Sequence, residues 1–114
     1  MNRTIIFFEN HFIEFYTSLQ VGVQEKIDYV LYLIKNVERI PVKFLKHIEG
    51  TTGLYELRIK TGSDIFRVFC CFDEGKLVIL FNGFQKKNQK TPKSEIRKAE
   101  KLKEKYFNDK KKGE

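Results

Sequence analysis

The feature that most constrains the fold is an alternating pattern that begins at residue 54 and is twice interrupted by turn residues. Residues 55–60 alternate between apolar and charged side chains, which is typical of a strand with one buried face. Turn signals that contain glycine, at residues 61–64 and 74–75, divide the following apolar stretches into two more strands. Because short turns join antiparallel neighbours, residues 54–85 are predicted to form a three-stranded antiparallel meander.

Helical periodicity flanks the meander on both sides. A short strand is predicted at residues 4–8, followed by two helices that Gly22 separates and Pro41 ends. These helices are expected to form a hairpin that covers one face of the sheet, whereas residues 41–53 have no clean period and are interpreted as a loop. Threonine and proline at 91–92 suit the start of a last helix with an apolar stripe. The predicted class is α+β, in the order β-α-α-β-β-β-α.

The length of the chain and its apolar runs limit the number of domains and the kinds of protein that it can form. With 114 residues, the chain has room for one small domain. We expect this domain over residues 1–107 and a disordered basic tail over residues 108–114. The uninterrupted apolar runs are far shorter than the ~20 residues that span a bilayer, and the first of them is too short for a signal peptide. A cytoplasmic protein with no membrane partner is therefore expected.

The charge is distributed unevenly along the chain. Residues 1–84 carry equal numbers of acidic and basic side chains, so the whole net charge of +7 lies in residues 85–114. Clustered lysine and arginine create a local positive potential that attracts polyanions. The pattern indicates nucleic acid or an acidic protein as a partner. A solvated basic helix face with a frayed end is the alternative interpretation.

The turn lengths predict which residues lie opposite each other in the meander. A two-residue turn at residues 62–63 places Arg58 directly opposite Arg67, and a two-residue turn at residues 74–75 places Asn82 opposite Arg67. The same alternation predicts one apolar core face under the helices, made by Tyr55, Leu57, Ile59, Phe66, Val68, Cys70, Phe72, Leu77, Ile79 and Phe81. The opposite face is predicted to be mixed, with Glu56, Arg58, Lys60, Ile65, Arg67, Phe69, Cys71, Val78, Leu80, Asn82 and Phe84.

The opposite face would then carry two arginines side by side. Like charges directly opposite on a sheet destabilise it by a few tenths to ~1 kcal/mol, so this pair needs compensation. Glu56 can compensate the repulsion as a salt-bridge partner. Alternatively, the two guanidiniums can converge on a phosphate, because their forked donors match its oxygens. Phe84, predicted opposite Ile65 on this face, either stacks on a base or packs in the core.

Several chemistries have no sequence support. The chain contains no Gly-x-Gly-x-x-Gly, P-loop, Cys-x-x-Cys or His-Glu-x-x-His pattern, so neither a metal nor a nucleotide cofactor is expected. His11 and His47 lie in different segments and are interpreted as surface or partly buried residues. Cys70 and Cys71 are adjacent and point to opposite faces of a strand, so no disulfide between them is expected. The adjacent cysteines are interpreted as small hydrophobic residues rather than nucleophiles.

Four short segments together resemble a known family. They are Leu-Tyr-Glu-Leu-Arg at 54–58, Phe-Arg-Val-Phe at 66–69, Phe-Gln-Lys-Lys at 84–87 and Lys-Thr-Pro at 90–92. In their order and spacing they resemble the RelE/ParE toxin superfamily, and more narrowly its HigB-like, phage-derived branch. The resemblance implies the toxin of a type II toxin–antitoxin system that enters the ribosomal A site and cuts mRNA. It also implies a small antitoxin partner, often a helix-turn-helix protein.

The resemblance implies metal-free cleavage in which a 2′-hydroxyl attacks the adjacent phosphate. It assigns Arg67 to the scissile phosphate, Arg58 to a second phosphate contact and Lys60 to a weaker one. Lys86 and Lys87 would stabilise charge or assist proton transfer. The remaining residues of the implied RNA-binding surface are Phe84, Asn82, Lys90, Lys93 and Arg97.

Two alternatives to the endonuclease interpretation remain. One is a catalytically silent protein that binds RNA or an antitoxin and regulates transcription through that complex. The other is a toxin of the same fold that acts on DNA gyrase, as in the ParE branch. In contrast to some relatives, no histidine or tyrosine directly follows the last strand near the implied site. The sequence therefore leaves the general acid and base unassigned.

Overall fold

The computed structural model describes residues 2–113, and within them it contains five strands and three helices. The elements are β1 (Thr4–Phe7), α1 (His11–Thr17), α2 (Val21–Asn36), β2 (Leu45–His47), β3 (Tyr55–Thr61), β4 (Asp64–Asp73), β5 (Leu77–Lys86) and α3 (Lys93–Lys112). The strands form one sheet in the order β1-β5-β4-β3-β2, in which β1 runs parallel to β5 and the other neighbours are antiparallel. The predicted α+β class and the antiparallel meander are confirmed. None of the helices in this part of the chain is long and apolar enough to cross a membrane.

Helices cover both faces of the sheet, so the molecule has two hydrophobic cores. On one face α1 and α2 pack through Phe12, Ile27, Val30 and Ile34 against Leu57, Val68 and other apolar residues of the meander. On the other face α3 packs through Ala99 over a second cluster that contains Phe69, Cys71, Ile79, Phe81 and Phe84. The sequence predicted only the first core, under the helical hairpin.

The register of β3 and β4 is as predicted, but that of β4 and β5 is not. Arg58 lies opposite Arg67, whereas Arg67 lies opposite Phe84 and not opposite Asn82. The turn contains three residues, because Asp73 pairs with Leu77, and a bulge then shifts the register once more. At the bulge one residue of β4 faces two residues of β5. The extra residue bends the strand that carries it.

The longer turn reverses the predicted orientation of the first half of β5. Val78 and Leu80 point toward α1 and α2, while Leu77, Ile79 and Phe81 point toward α3. One extra residue in a turn moves every following side chain to the other face, because the side-chain period of a strand is two. Phe84, predicted opposite Ile65, is displaced by the longer turn and the bulge together, and Ile65 pairs with Lys86 instead.

Two element boundaries also differ from the prediction. The segment interpreted as a loop contains β2, which pairs with β3 through three residues and is too short to produce a period in the sequence. The backbone N–H of Arg58 continues this pairing by donating to the carbonyl oxygen of Phe44 at 2.8 Å. Gly22 lies inside α2 rather than between the helices, which separate at residues 18–20.

The C-terminal segment is helical where disorder was expected. Helix α3 continues to Lys112, so residues 108–112 of the expected tail are helical. Glu114 lies outside the described residues. The reason is a set of tertiary contacts with the β4–β5 turn. Tyr106 donates a hydrogen bond to the carboxylate of Asp73 at 2.7 Å, and Lys110 pairs with Asp73 and Glu74, each at 3.0 Å.

The anchor of α3 is expected to weaken in acid. The hydrogen bond from Tyr106, together with Lys110, holds the pKa of Asp73 below its ordinary value. The anchor therefore contributes full stability above about pH 4 and loses it as the pH falls through the lowered value. Asp73→Asn should lower the free energy of unfolding near neutral pH by on the order of 1 kcal/mol.

Urea unfolding at neutral pH and at about pH 2 would measure this difference, which should shrink in acid. The matched control is Asp64→Asn, because Asp64 is exposed and forms no ion pair within residues 2–113. A difference between wild type and Asp73→Asn that stays constant with pH would contradict the anchor.

Candidate functional site

The side chains of the predicted site lie on the sheet face opposite α1 and α2, at the end where β3 turns into β4. We call this surface the cationic face and define it by Lys46, Arg58, Lys60, Arg67 and Lys86. Strand pairing brings these residues together, since Arg58 lies opposite Arg67 and since Lys60 and Lys86 lie on either side of Ile65. Lys46 joins them through its pairing with Glu56. The α3 helix covers the other end of the same sheet face and leaves this end without a helix over it.

Glu56 lies between the two arginines and offsets their repulsion. Its carboxylate is 3.8 Å from Nε of Arg58 and 3.5 Å from Nε of Arg67. Arg67 is only 5% exposed and Glu56 only 9%, and Nη1 of Arg67 donates to the carbonyl oxygen of Phe66 at 3.1 Å. The salt-bridge compensation considered for the arginine pair is therefore present.

The pairing within this trio is incomplete. Oε2 of Glu56 and Nε of Arg67 are both buried, and neither has a hydrogen-bond partner. Buried polar atoms are normally satisfied, because an unpaired one pays its desolvation cost without return. These two atoms face each other at 3.5 Å, so they form a long ion pair that falls short of hydrogen-bond geometry.

The electrostatics of the cationic face favour a bound anion. Burial lowers the pKa of Arg67, Glu56 opposes this effect, and Arg58 adds to it. Burial also lowers the pKa of Lys86, and the neighbouring Arg67 lowers it further. Both shifts express the cost of holding several positive charges close together and away from water. A dianionic or monoanionic group placed among these side chains would remove that cost.

An open cleft of about 490 Å³ gives access to the arginines. Its charged lining consists of Lys26, Lys43, Arg58, Lys60 and Arg67, and none of its lining residues is acidic. A concave surface with one sign of charge focuses the field and concentrates counter-ions. The cleft is therefore suited to phosphate groups, and Arg58, whose side chain is 30% exposed, is the guanidinium that reaches solvent most easily.

Two residues of the cleft were missed by the sequence analysis. Lys26 lies on α2 and Lys43 lies between α2 and β2, and both come to the cleft only because the hairpin packs at the edge of β3. No sequence period relates these lysines to Arg58 and Arg67. Contacts of this kind depend on how far the helical hairpin extends beyond the sheet, which local patterns do not encode.

Phe84 and Asn82 are placed under α3 rather than in the cleft. The ring of Phe84 stacks on Phe69 with centroids 5.6 Å apart and is 9% exposed. Asn82 is 3% exposed and donates to the side chain of Glu95 at 3.1 Å. Of the two interpretations of Phe84, these contacts favour core packing over base stacking.

The remaining predicted residues form a separate basic stretch. They are Lys87, Lys90, Lys93 and Arg97, all exposed, running from the end of β5 onto the first turns of α3. None of them lines the cleft. The structure thus brings Arg58, Lys60, Arg67 and Lys86 together and leaves the basic stretch at one side.

Other reactive side chains do not contribute to the site. Both cysteines are buried, and burial raises the pKa of Cys71 to about 11 and that of Cys70 still further. Their thiols stay protonated at neutral pH, as expected of small core residues. Within residues 2–113, no group of three or more histidine, cysteine and acidic side chains is arranged to hold a metal ion.

Comparison with known proteins agrees with the fold. The family described as "Phage derived protein Gp49-like" matches residues 14–104. Comparison with curated protein sequences gives no match. Among solved structures, a chain of the archaeal RelE-RelB complex from Pyrococcus horikoshii OT3 is 16% identical, with a TM-score of 0.55 over 73% of this chain and 93% of that chain. The protein therefore belongs to the phage-derived Gp49-like family and has a RelE-like fold, which confirms its resemblance to the phage-derived branch of the RelE/ParE superfamily.

Proposed function

We propose that this protein is the toxin of a type II toxin–antitoxin system and cleaves mRNA on the ribosome. The observation that carries the proposal is the pair of opposed arginines, Arg58 and Arg67, at a cleft lined by five basic residues and no acidic one. This arrangement suits the phosphodiester groups of a polyanion, because guanidiniums bind phosphate oxygens in pairs and clustered basic side chains attract a polyanion. Membership of the Gp49-like family and the RelE-like fold support it.

The proposed reaction uses the 2′-hydroxyl of the substrate as its nucleophile. The oxygen attacks the adjacent phosphorus, the bond to the 5′-oxygen of the next nucleotide breaks, and a 2′,3′-cyclic phosphate and a free 5′-hydroxyl result. Arg67 and Arg58 hold the phosphate and stabilise the charge that develops on its oxygens. Such preorganised donors are worth several kcal/mol where they act on the transition state.

Two further residues supply the proton transfers in this proposal. Glu56 is the carboxylate in contact with both arginines, and in this proposal it accepts the proton of the 2′-hydroxyl. Lys86 lies on the same face with a lowered pKa, so it gives up a proton more readily than an ordinary lysine and can protonate the leaving 5′-oxygen. Lys60 and Lys87 add positive charge around the substrate.

The proposed partners are the ribosome and a cognate antitoxin. The net charge of +7 and the exposed Lys87, Lys90, Lys93 and Arg97 provide a surface for ribosomal RNA. The neighbouring solved structure is a RelE-RelB complex, and by analogy a small antitoxin, often a helix-turn-helix protein, would hold this toxin inactive.

The test is a translating bacterial extract programmed with one defined mRNA and mapped by primer extension. Addition of the wild-type protein should produce cuts within codons, and an inhibitor of translation initiation should abolish them. Intact mRNA in the presence of folded protein would contradict the proposal. A supercoiling assay with DNA gyrase on the same preparation would then identify a ParE-like activity.

Replacement of Lys86 by arginine tests its proposed role as proton donor. Arginine keeps the positive charge but does not release its proton near neutral pH. Lys86→Arg should therefore lower the cleavage rate by about a hundredfold or more, within the range expected for a general acid. The control is Lys76→Arg, at an exposed lysine of the β4–β5 turn. Full activity of Lys86→Arg would show that Lys86 only stabilises charge.

A further inference from the structure

The cleft beside the arginines continues into a second groove on the helical hairpin. This groove has a volume of about 560 Å³ and shares Lys26, Lys43, Phe44 and Lys60 with the cleft. It also reaches Tyr29 on α2. The two cavities therefore lie next to each other, the first at Arg67 and Arg58 and the second on the surface of α2.

The second groove is lined by two aromatic rings and three lysines, together with one acidic residue, Glu25. The rings of Tyr29 and Phe44 meet edge to face, with centroids 6.1 Å apart and planes at 76°. Nζ of Lys26 lies 5.3 Å from the centroid of Tyr29, and Nζ of Lys43 lies 5.4 Å from that of Phe44. Each ring is thus accompanied by a cation, which is the combination found where successive bases stack and the backbone phosphates are neutralised.

The exposure of Tyr29 has no explanation in the packing of the helix. Tyr29 is 49% exposed, whereas the apolar stripe of the same helix, Ile27, Val30 and Ile34, is fully buried. Tyr32, one turn further along, is 60% exposed but lines neither cavity. The helix therefore offers two exposed tyrosines, of which one belongs to the groove.

We propose that this second groove is a subsite for single-stranded RNA that flanks the cleaved bond. In it Tyr29 and the accessible edge of Phe44 contact a base, and Lys26 and Lys43 contact the phosphates on either side of that base. The inference rests on the proposed function, because it places the scissile phosphate at Arg58 and Arg67. A single strand fits the groove, since stacking on side chains requires bases that are not already paired.

The proposal is tested by binding of uncleavable RNA to the isolated protein. Fluorescence anisotropy would compare a dinucleotide with a hexanucleotide, both fully 2′-O-methylated so that no 2′-hydroxyl can attack. The wild-type protein should bind the hexanucleotide more tightly than the dinucleotide. Tyr29→Ser should lower the affinity for the hexanucleotide by about tenfold, as expected for loss of one stacked base, and should leave dinucleotide binding unchanged. Tyr32→Ser is the matched control and should bind as the wild type does.

The salt dependence separates phosphate contacts from stacking. The double variant Lys26→Gln and Lys43→Gln should reduce the slope of log affinity against log salt by about 1.4, because each neutralised phosphate contributes about 0.7 for a single strand. Tyr29→Ser should leave this slope unchanged.

Several outcomes would overturn the subsite. They are equal affinity of Tyr29→Ser and the wild type for the hexanucleotide, affinity that does not depend on chain length, and no binding by the wild type. If the wild-type protein bound an oligoglutamate peptide more tightly than the hexanucleotide, and if Tyr29→Ser lost this binding, the groove would be assigned to an acidic protein instead. These results are independent of the cleavage assay. Intact mRNA in the extract contradicts the proposed function, whereas cleavage with unchanged binding by the variants contradicts the subsite alone.

Discussion

Replacement of Arg67 by alanine is expected to lower mRNA cleavage in a translating extract by roughly a hundredfold to a thousandfold. Arg67 is the most buried cation of the cationic face, and its side chain lines the cleft beside Arg58. A donor fixed in a site of low polarity stabilises developing charge more than a mobile one in water, and loss of such a donor typically costs this much in rate. Primer extension of the mRNA after fixed times would measure the effect.

The control for Arg67→Ala must separate catalysis from folding. Alanine leaves Glu56 with only its 3.8 Å contact to Arg58, so the thermal unfolding of the variant has to be recorded in parallel. Arg58→Ala provides a second test in a less buried position and should also reduce cleavage strongly. Arg39→Ala, at an exposed arginine outside both cavities, should cleave as the wild type does. Normal cleavage by a folded Arg67→Ala protein would contradict the proposed site.

A second large effect is expected at Gly83, where β5 passes under helix α1. A Cβ atom at this position would lie 2.4 Å from Cδ2 and 2.9 Å from Cγ of Phe15, so the ring occupies the space of a side chain. Phe15 itself packs against the core beside Phe66, with ring centroids 6.5 Å apart. Gly83→Ala should therefore destabilise the protein by about 3 kcal/mol, at the upper end of overpacking effects, and lower its melting temperature by roughly 10 °C.

Gly22→Ala is the matched control for the effect at Gly83. Gly22 lies in the first turn of α2, and no atom lies within 4 Å of the position its Cβ would take. Alanine there should stabilise the protein by up to ~1 kcal/mol, since glycine is the poorer helix former. Thermal unfolding followed by circular dichroism would measure both variants. An unchanged melting temperature for Gly83→Ala would show that Phe15 can move away without cost.

Most of the candidate site was predictable because it depends on one short turn. The pairing of Arg58 with Arg67 follows from a two-residue turn whose signal is strong in the sequence, and Glu56 lies two residues before Arg58 on the same strand face. Lys60 reaches the same face by the same alternation. These are local consequences of the period of a strand.

The errors of prediction occurred where one residue in a turn or strand changes the geometry. The β4–β5 turn has three residues rather than two, and the bulge beside Phe69 adds another shift. The longer turn directs Ile79 and Phe81 toward α3, and the turn and the bulge together place Phe84 opposite Arg67. Because bulges and turn lengths depend on packing against other elements, the pattern of β5 alone did not reveal them.

The sequence by itself determined seven of the eight elements, the class of the fold and the cationic strand pair, because each is encoded in local periodicity, turn residues and charge. Only the tertiary structure decided that α3 covers half of the second sheet face, that β2 extends the sheet, and that Lys26, Lys43 and Tyr29 meet the cleft. The physical reason is that these contacts join segments distant in the chain. Their geometry follows from the burial of apolar area by whole helices, which no local pattern specifies.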